Sequence, residues 1–130
     1  MGYYSNTRRG IDMNNVEVAQ EYCQSLHKEV TSEFPFGEDT LTMKIGGKIF
    51  CFISLEGTPS RISIKGDPET IADLKENREA AFNGPYLNKK HWTSIYLGSD
   101  IDDEELRTLV RRSYELVFAT LTKKVREELG

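Results

Sequence analysis

The chain has 130 residues and a formal net charge of −4; 38% of its residues are hydrophobic and 29% charged. That length lets one domain bury a core without disulfide or metal support, and the composition excludes a collagen-like, low-complexity or wholly disordered chain. No apolar run approaches the roughly 18 residues of a membrane helix, and an acidic chain can meet nucleic acid only through a local basic surface.

Residues 1–13 lack the apolar stretch of a secretion signal and read as a flexible extension. Gly2 fails the myristoylation pattern because Asn6 stands where a hydroxyl residue is required. Residues 14–130 read as a single domain. Asn14 and Glu17 have capping-box spacing, and Val18, Ala19, Tyr22, Cys23, Leu26 and Val30 then recur at helical spacing until about Glu29. The Phe34-Pro35-Phe36-Gly37 turn follows. Leu41–Ile45 alternates with period two and reads as a strand; Gly46-Gly47 makes a two-residue hairpin loop, and Lys48–Leu55 is the return strand. Arg61–Lys65 alternates again. Asp67 and Pro68 supply an N-cap and a first helical residue for a helix to about Asn77.

An irregular segment spans Ala80–Lys89 and carries Gly84-Pro85. His91–Leu97 is the fourth strand. Asp102 and Glu105 repeat the capping-box spacing and open one long helix. Its buried stripe is Leu106, Leu109, Val110, Ser113, Val117, Leu121 and Val125, with Tyr114 and Phe118 on the flank. The order is α-β-β-β-α-β-α. Short connections favour antiparallel hairpins, so the expected fold is α+β and two-layered, with the helices on one face of an antiparallel sheet.

The hairpin loop assigns sides. It sets Ile45 opposite Lys48, Met43 opposite Phe50 and Leu41 opposite Phe52, which places these five apolar residues on the core face. Thr42, Lys44, Ile49, Cys51 and Ile53 then face outward. On the later strands Ile62, Ile64, His91, Thr93, Ile95 and Leu97 go inward, and Arg61, Ser63, Lys65, Lys90, Trp92, Ser94 and Tyr96 go outward. Residues 40–98 carry eight cations and six acids, the only net-positive stretch of the domain.

Little points to catalysis. There is no HExxH, no CxxC and no phosphate-cradling glycine loop. His27 reads as solvent-facing and His91 as a hydrogen-bonded structural imidazole; a Cys51–His91 pair would fall on opposite sides of the sheet, and two separated Cys with two His make no zinc set. The acidic run from Asp100 to Glu105 is explained by helix capping. We expect no enzyme, no cofactor and no metal. Cys23 and Cys51 read as reduced core thiols of a cytoplasmic protein.

Three stretches carry a resemblance: Phe34-Pro35-Phe36-Gly37, Lys44-Ile45-Gly46-Gly47-Lys48-Ile49-Phe50 and Leu87-Asn88-Lys89-Lys90-His91-Trp92. Together with Ser113-Tyr114-Glu115-Leu116-Val117 they resemble the MmcQ/YjbR family of small bacterial proteins. The chain departs from that pattern at Tyr86, where the family often has a Gly-Tyr-His lead-in. The resemblance implies a CyaY-like fold, with two helices packed against an antiparallel sheet, and DNA binding.

The outward cations and aromatics fit that implication, because bases stack on exposed rings and cations pair with phosphates. The expected site comprises Lys44, Arg61, Lys65, Asn88, Lys89, Lys90, His91, Trp92 and Tyr96. It would bind DNA or RNA weakly and without sequence preference. The alternative is a protein partner anchored on Trp92; no membrane partner is expected.

Overall fold

Asn15 starts the first helix: its side-chain oxygen accepts the Glu17 N–H at 2.7 Å. A computed structural model describes residues 15–35, 37, 39–57 and 59–130. The expected extension, the Asn14 cap and the Phe36 part of the turn lie outside them. The elements are α1 (Val16–Ser25), β1 (Thr31–Glu33), β2 (Thr40–Ile45), β3 (Lys48–Ser54), β4 (Arg61–Lys65), α2 (Pro68–Asn77), β5 (Ala81–Phe82), β6 (Trp92–Tyr96), α3 (Asp103–Ala119) and α4 (Lys123–Leu129). The strands form one sheet in the order β1-β2-β3-β4-β6-β5, every neighbouring pair antiparallel. The fold is therefore α+β, as the residue pattern predicts.

Three elements depart from the expected order. β1 occupies the stretch between the expected end of the first helix near Glu29 and the turn that starts at Phe34, where no strand is expected. It is held on β2 by the Lys44–Glu33 ion pair and by the Thr42 hydroxyl, which donates to the Glu33 carbonyl at 3.1 Å. β5 forms inside the segment expected to be irregular; the Asp100 carboxylate fixes its approach by accepting the Ala80 and Glu79 N–H groups at 3.0 and 2.9 Å. Those bonds hold the Asp100 carboxyl below the usual carboxylate range.

The expected long last helix is two helices. The Thr120 hydroxyl turns back to the Val117 carbonyl at 2.7 Å, and Thr122 caps α4 by accepting the Val125 N–H at 3.2 Å. Hydroxyl side chains compete in this way with the helix ladder. The break returns Leu121 and Val125 onto the β2–β3 hairpin. There Gly46 sits at φ +58°, and a Cβ on it would lie 2.7 Å from a Leu121 methyl.

One face of the sheet carries the core: Leu41, Met43, Ile45, Ile53, Ile62, Ile64 and Ile95 meet Val18, Ala19 and Cys23 of α1, Ile71 and Leu74 of α2, and the Leu106–Val117 stripe of α3. The expected sides hold for β2, β4 and β6 and for Ile49 and Phe50 of β3, but fail on β3 from Cys51 onward. Ile45 does lie opposite Lys48, yet Met43 lies opposite Cys51 and Leu41 opposite Ile53. A β-bulge at Phe50 inserts one residue, and a one-residue slip reverses every later side chain. Cys51 and Ile53 thus enter the core, whereas Phe52 turns to the outer face beside Thr42 and Ser63. Cys51 meets Cys23 there; a hydrogen bond with that thiol and burial push the Cys51 thiol well up.

The bulge has its own fastening. The β3–β4 register ends at Cys51 opposite Ile64. The next backbone groups, the Lys65 N–H and the Phe50 carbonyl, both go to the Ser113 hydroxyl of α3, at 2.8 and 2.6 Å. Ser113 is fully buried, so the hydroxyl stands in for a ladder bond and pins α3 to two strands at once. Ser113→Ala would leave a buried donor and a buried acceptor without partners. Denaturant unfolding should show a loss of about 2–3 kcal/mol; a loss under about half a kcal/mol would mean that the clip contributes nothing.

Candidate nucleic-acid interface

The outer face of the sheet is built by parity and then partly roofed. Across it run Thr42, Phe52, Ser63, Ser94 and Phe82 in successive strands. To one side of this row Arg61 lies opposite Tyr96, and to the other Lys65 lies opposite Trp92. Two small side chains at the centre leave a trough between aromatic walls. The hydroxyls of Ser63 and Ser94 bond each other at 2.7 Å on its floor.

The roof is the connection from β5 to β6. Gly84 presses on the floor so closely that a Cβ there would lie 2.2 Å from the Ser94 hydroxyl oxygen. Past it, Pro85, Tyr86 and Leu87 form a lip. Together with Thr40, Phe52, Ser54, Arg61, Ser63 and Ser94 they enclose a cleft of about 530 Å³. Neither a carboxylate nor an imidazole lines it among the described residues. Tyr86 has φ +66° and is fully exposed. A bulky residue in the left-handed region is strained, and this one holds its ring out into water.

The expected site residues divide sharply. Arg61, Lys65, Trp92 and Tyr96 do share the outer face. Lys44 is on that face too, but its ammonium is committed to Glu33 at 2.5 Å, so it is not a free phosphate contact. Asn88 builds the turn before β6: its side-chain oxygen accepts the Lys90 and His91 N–H groups, at 2.9 and 3.2 Å, and its carbonyl accepts the Trp92 N–H. Lys89 and Lys90 project from that turn and are exposed. The Lys89 carbonyl accepts Lys75 Nζ at 2.7 Å; burial and the Lys89 charge together hold the Lys75 amine below its usual range. His91 is half-buried, and its carbonyl accepts the Gly66 N–H.

Neither aromatic is a bare plate. Trp92 packs edge-on against Phe52, ring centroids 5.5 Å apart, and Tyr96 stacks on Phe82 at 4.4 Å. The cleft residues Phe52, Tyr86 and Leu87 are absent from the sequence-based site. Phe52 is hidden by the bulge, while the small outward Ser63 and Ser94 and the Gly84-Pro85 pair are the signals of a roofed trough. Among the described residues there is no cluster of three or more His, Cys, Asp or Glu able to hold a metal ion, and no helix long and apolar enough to cross a membrane.

Gly84→Ala should prise the lip from the sheet and destabilise the protein by about 1–3 kcal/mol. Combined with Ser94→Ala, which removes the blocking oxygen, it should cost less than the two single changes added together. Equal stability of Gly84→Ala and the wild type in thermal melts would show that the roof does not bear on the floor.

Residues 26–116 match the family model YjbR. The Escherichia coli O157:H7 protein YbdF is 39% identical over 92 residues, covering 70% of this chain and 75% of its own. YjbR of Escherichia coli K12 is 27% identical over 88 residues, covering 67% and 74%. The crystal structure of the Deinococcus radiodurans protein DR2400, described as a DUF419 domain, superposes with a TM-score of 0.84 at 33% identity, over 91% of this chain and 89% of that one. A Pseudomonas syringae protein shares the fold at a TM-score of 0.67 and 18% identity, over 78% of this chain and 97% of that one.

Proposed function

The chain belongs to the YjbR family, and we propose that it is a non-catalytic, cytoplasmic protein of CyaY-like architecture whose outer sheet face binds single-stranded nucleic acid weakly and with little base preference. One observation carries this reading: Arg61 faces Tyr96 and Lys65 faces Trp92 on either side of an aromatic-walled cleft, on the face opposite the one where the described helices pack. Alternating cations and rings on an open sheet suit a strand whose bases are unpaired, since bases stack on rings while phosphates meet cations. A duplex hides those base faces.

Four cations carry the electrostatic part: Arg61, Lys65, Lys89 and Lys90. None has an ion-pair partner among the described residues. The rest of the chain is acidic, with six acids and one cation in residues 13–39, which repels phosphate elsewhere and confines a strand to this face. That same acidity keeps affinity low. The described cleft lining is apolar rings and stems with serine and threonine hydroxyls and one guanidinium, groups that suit binding a flat, anionic ligand.

Salt titration against a single-stranded oligonucleotide tests the reading. Four phosphate contacts predict that log K falls with log salt at a slope of about −3. Changing Lys89 and Lys90 together to Ala should flatten it by about 1.4 units whatever the sequence, and their exposure makes structural damage a small confounder. No binding to any single strand at low salt would end the proposal. Capture of a protein on this face with a flat salt response would favour the Trp92-anchored protein contact instead.

A further inference from the structure

We infer that the cleft under Gly84–Leu87 is a site for one nucleotide: a planar heteroaromatic ring placed between Phe52 and Tyr86, its edge on the Ser63–Ser94 hydroxyls and its phosphate on Arg61. The inference rests on the nucleic-acid reading of the same face and goes beyond it, from a stripe of weak contacts to a built pocket. Its volume, about 530 Å³, lies within the range of small-ligand sites. Its walls are mainly apolar and its polar groups few and convergent, the combination that orients a flat ligand without catalysing anything.

Each part has a chemical reason. The Ser63 and Ser94 hydroxyls use one of their two protons on each other, which leaves one proton and free lone pairs for a ring edge that carries both donors and acceptors. Arg61 lines the cleft and has no ion pair among the described residues; its guanidinium is suited to a phosphate. Tyr86 is the strongest pointer. A ring fully in water and held at φ +66° lowers the stability of the free protein and contributes little packing to it. Strain of this kind is retained where a ligand uses it.

The nucleotide has two sources, a free mononucleotide or an unpaired unit of a strand, and the experiment separates them. Trp92 is the only tryptophan and packs on Phe52 in the cleft wall, so its fluorescence reports occupancy. The probes are adenosine 5′-monophosphate, ribose 5-phosphate, adenosine and a single-stranded oligonucleotide. The monophosphate should give a saturable change, with adenosine and ribose phosphate each binding about tenfold more weakly or worse.

Tyr86→Gly relieves the left-handed strain, so it should raise the melting temperature while weakening the monophosphate about tenfold. A merely structural Tyr86 would not separate those two effects. Ser94→Leu fills the floor; it should abolish monophosphate binding and weaken the strand while leaving the salt slope near the wild-type value. A second filling variant, Ser63→Leu, serves if Ser94→Leu fails to fold. Monophosphate binding without strand binding would keep the pocket and overturn the strand reading. Strand binding unchanged in the filled variants, or a monophosphate that binds Tyr86→Gly as well as wild type, would overturn the pocket and leave the surface reading standing.

Discussion

The outer face depends on a single buried hydroxyl. Ser113 of α3 takes the Lys65 N–H and gives its proton to the Phe50 carbonyl, at 2.8 and 2.6 Å. These are the groups a regular β3–β4 ladder would have paired with each other. With the clip in place, Phe50 can bulge into the core, where its ring meets Tyr114 edge-on. Every residue of β3 beyond the bulge is then reversed. Cys51 and Ile53 fill the core, and Phe52, which simple alternation would have buried, becomes the wall of the cleft and the platform for Trp92. A backbone irregularity on the helical side thus shapes the surface on the other side, which is how bulges commonly act near functional sites.

The second constraint is the tether of the β5–β6 connection. The Asp100 carboxylate fixes its entrance, and Arg78 ties the same region to Glu105 of α3 at 2.7 Å. Asn88 and the Gly66 N–H to His91 carbonyl bond fix its exit. Between those anchors the chain must cross the outer face, and only a glycine at position 84 lets the backbone lie on Ser94. The result is a loop firmly placed at both ends, with one exposed ring carried on a strained backbone at its apex. Surface loops positioned by rigid scaffolds are where binding groups concentrate.

Much of this was legible in the residues. The Gly46-Gly47 hairpin, the Asp67-Pro68 and Asp102 helix starts and the α3 stripe all follow from local rules that tertiary packing leaves intact. The outward sides of Arg61, Lys65, Trp92 and Tyr96 follow too, because β4 and β6 contain no bulge. What alternation cannot carry is the insertion at Phe50, since the hydroxyl that satisfies its carbonyl, Ser113, is 63 residues away. The same holds for Lys44, whose charge is taken by Glu33 on a strand of three residues too short to leave a periodic signal. Asn88 looked like a ligand contact in the Asn-Lys-Lys-His-Trp run; its position just before the strand is that of a turn-former. The cleft needed two signals joined, small outward residues on facing strands and a glycine in the segment that crosses them.

The surface proposed to meet nucleic acid is the face set by the Phe50 bulge and roofed by Gly84–Leu87. Backbone amide shift mapping by NMR during addition of a short single strand tests it most directly. Perturbations should gather on Phe52, Arg61, Ser63, Tyr86 and Lys89 to Ser94, and leave the exposed surface of α1 and α3 unmoved. Perturbations centred on α1 or α3, or none at all at low salt, would contradict it.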